Sequence, residues 1–236
     1  MTEILPGVFL LDPANPELRN ATNVVLLRDA TGGGYTLLDT GLPKGMVPRD
    51  MVSEVEQFCR AQKISPSAIR RILLTHLHLD HTGNLKALQA RTGAKVYAHW
   101  MEASFIAKDP VYKGPGMLPQ EPFRVTETLK DGDELDAFEG LVAYHTPGHT
   151  PGHLSFYAPT RRILFTGDAV MRQDGPLTVS APQYTFSQQM AALSLRRLAT
   201  LDVESVVTYH GEPILKDGKQ HLKTASEQAY GGKYEN

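Results

Sequence analysis

The sequence predicts an α/β fold in which two mixed β-sheets pack together with helices on the outside. Two observations favour this arrangement. Short apolar runs typical of strands come first in the chain, and helical patterns then alternate with further strands. The second half of the chain repeats that order, which indicates a pair of packed sheets.

Three apolar runs open the chain, and the glycine-rich stretch 31–34 predicts a hairpin turn between the second and the third. Apolar residues at helical spacing, Cys59 among them, predict a helix over about 49–61. The predicted strands cover 7–11, 23–27, 35–39, 69–75, 96–98, 141–144, 154–157, 163–166 and 205–209, and the further helices cover about 84–91, 187–200 and 217–230.

Composition limits the classes of protein to consider. Hydrophobic residues make up 41% of the 236 residues and charged residues 21%, which is typical of folded chains and excludes general disorder. The net charge of −2 gives no support for nucleic-acid binding, and the lone Cys59 excludes an internal disulfide. We find no membrane helix, signal peptide, repeat or linker, so we expect a cytoplasmic protein with a single domain over 1–236.

The stretch 100–125 departs from the regular pattern. It begins as a short helix and then combines six prolines and glycines with large apolar side chains. Such a segment is either a lid over a pocket or a packed surface loop, and the sequence leaves both interpretations open.

The clearest chemical signal is His-Leu-His-Leu-Asp-His, which follows a predicted strand directly. Imidazole and carboxylate groups are the usual ligands of zinc in such sites. If the strand continued, His76 and His78 would point to the same side, with the leucines between them buried on the other. Asp80 and His81 would then follow in a turn, aimed at the same ion or at a second one nearby.

Further potential ligands follow later strands. His149 lies in a loop rich in glycine and proline between His145 and His153, Asp168 follows a strand behind a glycine, and His210 ends another strand. Sheet proteins commonly place reacting groups in such loops, on a rigid scaffold. Any one of these residues alone would more often be structural, but together they predict a metal site.

The order of these groups, from the turn at 38–41 through HLHLDH, TPGHTPGH and Gly-Asp to the late His-Gly, resembles the metallo-β-lactamase superfamily of metallohydrolases. The resemblance implies a four-layer αββα sandwich with a dinuclear metal site at one edge. By position it also implies the ligands: His76, His78 and His149 for the first metal, Asp80, His81 and His210 for the second, and Asp168 bridging both.

The charge count agrees with two ions. Two divalent cations carry four positive charges, of which two carboxylates and one bridging hydroxide would offset three, and the remainder suits a developing oxyanion. The ligand types favour two zinc ions per chain, although iron or manganese fits the same set. We expect a hydrolase in which a metal-bridging hydroxide attacks the substrate, with Asp80 also guiding protons.

This sequence departs from several individual branches of the superfamily, and these departures limit the range of substrates to expect. A β-lactamase with a cysteine ligand is excluded, because Cys59 lies in an early helix. The site resembles glyoxalase II, but only 26 residues follow His210, too few for its glutathione-binding domain. It also resembles the acyl-homoserine lactonases, but the tyrosine that they carry shortly after the bridging Asp is absent here. Tyr184 is the nearest tyrosine that could replace it. We therefore expect an ester, thioester or lactone of a small molecule, bound by apolar residues that include Phe105, Met117 and Tyr184.

Other interpretations stay open at this point. A phosphodiesterase or nuclease of the same fold would need a basic rim, for which Lys108, Lys113 and Arg124 are scattered candidates. A mononuclear iron dioxygenase-like member would need only part of the ligand set, and a metal-binding or regulatory protein would lack turnover. We expect a small-molecule substrate, no membrane or nucleic-acid partner, and allow for a homodimer.

Five further polar residues are not predicted to be metal ligands. For three of them the sequence leaves two roles open, and for the other two it predicts a structural or exposed position. Asp39 either holds a ligand histidine or caps a turn, and His145 and His153 either orient ligands or bond within their loop. His99 is expected to be structural or exposed, as is His221.

Overall fold

Two mixed β-sheets form the middle of the molecule, and the computed structural model describes residues 2–11, 22–30, 33–48, 50–118, 121–172 and 175–231. The described strands form one sheet of seven and one of five. The strands are β1 (Thr2–Leu5), β2 (Val8–Leu10), β3 (Val25–Arg28), β4 (Tyr35–Leu38), β5 (Ile69–Leu73), β6 (Lys95–His99), β7 (Glu127–Leu129), β8 (Glu134–Leu135), β9 (Leu141–His145), β10 (Leu154–Ala158), β11 (Ile163–Phe165) and β12 (Ser205–Val207). The helices are α1 (Met51–Gln62), α2 (Leu79–Thr82), α3 (Leu85–Thr92), α4 (Trp100–Ile106), α5 (Gln188–Leu198) and α6 (Gly218–Gly231).

The strand order brings several strand ends to common edges. In the first sheet, β1 to β4 are antiparallel neighbours, whereas β4 to β7 run parallel. In the second sheet, β11 and β12 are parallel and the other neighbours are antiparallel. Because parallel strands end at the same side, the loops after β4 and β5 share one edge of the first sheet, and those after β11 and β12 share one edge of the second.

Alternation along the strands decides which layer each apolar side chain enters. Phe9 and Ile72 lie in a cluster with the inner faces of α1, α3 and α4, whereas their neighbours Val8, Leu10 and Leu73 lie in a cluster that joins the two sheets. This period of two is the geometry of a strand with both faces covered.

A third cluster covers the outer face of the second sheet. Leu164 and Val206 of that sheet pack there with Leu195 and Leu198 of α5 and with Leu222 of α6. The molecule is therefore layered helix, sheet, sheet, helix, which confirms the predicted fold class.

The predicted elements agree with the structure within a few residues at most boundaries. Asp50 begins α1, where its side chain accepts the backbone N–H of Ser53 at 3.2 Å, and Arg49, the predicted first residue, lies outside the described residues. The β3–β4 pair is antiparallel as the hairpin predicts, although residues 31 and 32 of its turn are also outside them. The strands β1, β7 and β8 were not predicted, because they are short and carry few buried side chains.

No helix within the described residues combines the length and the apolar character that crossing a lipid bilayer requires.

Replacing Phe156 with Ala should lower the free energy of unfolding by about 3–5 kcal/mol, because the ring is completely buried between the two sheets and its loss leaves a cavity. Urea denaturation followed by circular dichroism measures the change. Phe186 offers a matched control, since the same ring is removed there from a residue that is 52% exposed and the loss should stay within about 0.5 kcal/mol. Equal losses in the two variants would contradict the buried position of Phe156.

Candidate metal centre

Loops that follow β4, β5, β9, β11 and β12 build the candidate site at the edge where the two sheets meet. The structure brings all seven predicted ligand side chains together there. They form two groups, in each of which the potential ligand atoms lie within 4.8 Å of one another. The first group is His76, His78 and His149, and the second is Asp80, His81, Asp168 and His210.

The strand predicted over 69–75 ends at Leu73, so the expectation that strand geometry aims His76 and His78 is wrong. Residues 74–78 form a loop that leads into the short helix α2. The N–H of Leu77 is bound by the carboxylate of Glu102 instead of a neighbouring strand, and its side chain is completely buried in the helix-side core. The buried leucine turns the two flanking histidines toward the site without a regular strand.

Three ring nitrogens of the first group converge. His76 Nε2 lies 3.0 Å from His78 Nδ1 and 3.1 Å from His149 Nε2, and the latter two atoms are 2.9 Å apart. Nitrogen ligands about 2.0–2.1 Å from a tetrahedral zinc ion are about 3.3–3.4 Å apart, which is close to this triangle. The spacing therefore suits one cation bound by three imidazoles.

The outer nitrogens of two of these rings have protein partners. Thr75 Oγ1 donates its proton to Asp39 Oδ2, so it accepts one from His76 Nδ1 at 3.1 Å. His78 Nε2 lies 2.9 Å from the carbonyl oxygen of Pro115, which can only accept. Both bonds leave the converging nitrogen with a free lone pair, which is the tautomer that a metal ligand needs.

Asp168 belongs to the second group and also lies close to His149 of the first. Its Oδ2 lies 3.5 Å from His149 Nε2 and 3.4 Å from His210 Nε2, while its Oδ1 lies 3.4 Å from His81 Nε2. Asp80 Oδ2 lies 3.3 Å from His210 Nε2 and 3.6 Å from His81 Nε2 and closes the second group. The two groups are thus adjacent, with the Asp168 carboxylate within 3.5 Å of a ring nitrogen from each.

Two buried polar atoms of the second group indicate whether its residues fit a cation. Within the described residues, His81 Nε2 and Asp168 Oδ1 are buried without a hydrogen-bond partner, although they face each other. At 3.4 Å the two atoms attract each other as charges without a hydrogen bond, and a cation beside them would satisfy both. Since imidazole nitrogen and carboxylate oxygen are the donors that zinc, iron and manganese accept, the residues fit divalent metal ions.

The two groups differ in protonation. Burial lowers the pKa of all three histidines of the first group, that of His149 to about 3, so their lone pairs are available at pH 7. Burial also acts to lower the pKa of His81 and His210, but nearby carboxylates outweigh it. Asp80, Asp39 and Asp168 raise the pKa of His81 well above its usual value, and Asp168 and Asp80 raise the pKa of His210 to about 10. A cation at the second group must therefore replace protons.

Asp39 holds His81, a potential ligand, which is the first of its two predicted roles. Its Oδ2 lies 2.9 Å from His81 Nδ1, and its Oδ1 accepts the backbone N–H of Thr75 at 2.8 Å. The residue has a φ of 58°, in the left-handed region that Asp adopts more readily than most side chains. This geometry turns Nε2 of His81 toward Asp80 and Asp168.

The histidines beside His149 have different surroundings. His153 is completely buried, and its Nε2 accepts the backbone N–H of Asp168 at 3.0 Å, so it positions the backbone of that residue. His145 stacks on His99, with ring centroids 4.4 Å apart, and lies outside both ligand groups. His99 is structural and His221 exposed, as expected.

Two supporting residues were missed in the sequence. Thr75 connects Asp39 with His76 through its hydroxyl. The ring of Tyr209 stacks on His81 at a centroid distance of 3.7 Å, and its hydroxyl donates to the carbonyl oxygen of Asp80. Each stands directly before a ligand histidine, and that adjacency was the available signal.

The irregular segment after α4 contacts the first group. Met117 accepts the N–H of Leu79 at 2.8 Å through its carbonyl oxygen, next to the Pro115 bond already described, and its side chain is exposed. Tyr184 is also exposed, whereas Phe105 is half-buried against the ring of Tyr112, at 5.1 Å between centroids. The segment therefore forms one wall of the site, and its residues 119 and 120 lie outside the described residues.

Replacing Gly116 with Ala should weaken zinc binding at the first group by at least about tenfold. An added Cβ would lie 2.2 Å from His78 Nε2, so the ring would have to move. Competition with a chromogenic zinc chelator measures the affinity.

Gly140 is the matched control for Gly116. It has a φ of +96°, close to the +99° of Gly116, but its Cβ would meet no described atom within 4 Å. Gly140→Ala therefore introduces the same backbone strain, about 1–2 kcal/mol, far from the ligands. Equal zinc affinities in the two variants would refute the contact between this segment and His78.

Two curated proteins are similar to this chain over much of its length. The acyl-coenzyme A thioesterase MBLAC2 of Homo sapiens is 29% identical over 194 residues, which cover 72% of this chain and 65% of that protein. A hydroxyacylglutathione hydrolase of Fuscovulum blasticum is 31% identical over 184 residues, which cover 77% of this chain and 59% of that protein. The chain thus spans less than two thirds of either relative.

A solved structure and a family model match this chain as well. A metallo-beta-lactamase family protein from Thermus thermophilus has a solved structure that matches with a TM-score of 0.72 and 26% identity, covering 97% of this chain and 81% of that one. The sequence model of the metallo-beta-lactamase superfamily matches residues 19–210, which include all seven side chains of the two ligand groups. The chain therefore belongs to the metallo-beta-lactamase superfamily.

Proposed function

We propose that this protein is a hydrolase that holds two divalent cations, preferably zinc, and cleaves an ester, thioester or lactone bond of a small molecule. The position of Asp168 is the observation that supports two cations. Its two oxygen atoms face His81 on one side and His149 and His210 on the other. A site for one cation would leave several of these groups without a role.

Cations held by these residues would lower the pKa of a water molecule toward about 7 and polarise the substrate carbonyl. The protein decides from which side the substrate arrives. The side chains of Asp80 and His210 are 21% and 16% exposed, whereas the other five potential ligands are almost completely buried. We infer that the substrate enters beside Asp80, whose accessible carboxylate is placed to accept the proton released in hydrolysis.

Exposed apolar side chains on segments bonded to the ligand loops support an acyl substrate. The carbonyl of Met117 is bonded to Leu79, and the N–H of Phe186 is bonded to the carbonyl of His149 at 3.0 Å. With Tyr184, these side chains are each more than half exposed, and we call the three the acyl surface. The two relatives described above are named for acyl substrates, which agrees with this surface. A part for Phe105 in binding stays a prediction.

Zinc-loaded protein should hydrolyse p-nitrophenyl acetate and butyrate and acyl thioesters, and should leave bis-p-nitrophenyl phosphate intact. A chelator should abolish the activity, and Asp168→Asn should lower kcat by at least about 100-fold, because the shared carboxylate is lost. Release of p-nitrophenol or free thiol measures the rate.

Asp29→Asn is the control for loss of a buried carboxylate. Asp29 pairs with Arg71 at 2.9 Å and directly follows β3, at the edge of the first sheet where β4 and β5 begin. The candidate site lies at the other edge, where β4 and β5 end, so this variant should keep its kcat. Turnover of the phosphate diester alone would reject the proposed bond type in favour of a phosphodiesterase.

Cation binding at the second group should release about two protons near pH 7, whereas binding at the first should release almost none. The pKa of His210 is raised to about 10 and that of His81 is also raised, so both are protonated until a cation arrives. Affinity at the second group should fall as the pH falls, about tenfold per unit for each proton. Calorimetry in buffers of different ionisation enthalpy counts the protons, and negligible release for both ions would contradict the assignment.

A further inference from the structure

Glu102 in α4 is a completely buried acid that belongs to neither ligand group. Its Oε2 accepts the backbone N–H of Leu77 at 2.8 Å, and its Oε1 accepts that of Gly152 at 2.8 Å. Leu77 stands between His76 and His78, and Gly152 lies in the loop that carries His149. One carboxylate thus joins the two loops that supply the whole first group.

The two loops come from different sheets. The loop with Leu77 follows β5 of the first sheet, and the loop with Gly152 connects β9 and β10 of the second. One backbone bond joins the first loop to the start of β10, from the N–H of Leu154 to the carbonyl of Thr75 at 2.9 Å. The bonds through Glu102 attach the first loop to the His149 loop itself.

Packing alone does not account for an acid at this position. Burial raises the pKa of Glu102 to about 7, although the side chain of Thr150 and the N–H groups of Gly152 and Leu77 oppose this change. Within the described residues, no ion pair to Glu102 offsets the burial. An ionised carboxylate is, however, the side chain that offers two acceptor atoms and no donor, which is what two facing N–H groups require.

We propose that Glu102 is a positioning residue that sets the distance between His149 and the His76–His78 pair, and thereby the affinity of the first group for its cation. The inference rests on the proposed function, because the spacing matters for a cation only if the three histidines bind one.

Glu102→Gln tests the proposal with little change of shape. The amide nitrogen can only donate, so it would face one of the two N–H groups and break that attachment. Zinc affinity is measured in two backgrounds, His210→Ala, which retains the complete first group, and His149→Ala, which disrupts it and leaves the second group more nearly intact. Glu102→Gln should weaken zinc binding 10- to 100-fold in the first background and less than about threefold in the second.

Cobalt(II) gives a readout of geometry that is independent of activity. In the His210→Ala background, Glu102→Gln should shift the visible absorption of cobalt at the first group. Asp29→Asn is the control, because it also alters a buried carboxylate that accepts a backbone N–H, from Phe138 at 3.1 Å, away from the ligands. An equal loss of zinc affinity in Asp29→Asn would overturn the proposal, since it would indicate general destabilisation.

Gly152→Ala disturbs the same contact from the other side. Its Cβ would lie 2.7 Å from His99 Nδ1 and 2.9 Å from Glu102 Oε1, so both side chains would have to move. The variant should also lower affinity at the first group, and it decides the question if Glu102→Gln does not fold. Unchanged zinc affinity and cobalt absorption in the folded variant would overturn the positioning role alone. A wild-type protein that binds no zinc would overturn the proposed function, so the two failures are distinguishable.

Discussion

The arrangement of the site depends on the contacts of the Asp168 carboxylate. Its oxygens lie 3.4–3.5 Å from nitrogen atoms of His81, His149 and His210, which three separate segments of the chain provide. His81 follows β5 of the first sheet, and the other two belong to loops of the second. These contacts require the edges of both sheets to adjoin, and the apolar layer between the sheets keeps them there.

Hydrogen bonds outside the two ligand groups keep that edge in order. Asp39 and Thr75 hold His81 and His76, and His153 holds the backbone of Asp168. Each of these partners is buried, so its bonds lie in a medium of low dielectric, where unpaired polar atoms are costly and paired ones are strong. The network therefore orients imidazole nitrogens that would otherwise repel or turn away from one another.

Membership of the superfamily accounts for the layers and the ligand order, but the substrate depends on other parts of the chain. The segment from Tyr112 to Met117 packs against His78, and Tyr184 and Phe186 lie near the loop of His149. These residues lie outside the sheets, in segments whose conformation depends on what they pack against. The acyl surface is accordingly the part of the proposal that follows from this chain in particular.

The sequence by itself determined the layered fold, most helices and strands, and the identity of the potential ligands. Strand and helix periods are local, and His76 to His81 stand within six positions, so both signals can be detected without knowledge of contacts. The sequence did not locate the end of β5 at Leu73, because the N–H of Thr75 just beyond it is bound by the carboxylate of Asp39, 36 positions away. Nor could it decide between the two roles of Asp39 or identify Glu102, since each depends on hydrogen bonds to loops distant in sequence. Those contacts exist only after the two sheets have packed, and for that reason the tertiary structure alone decided them.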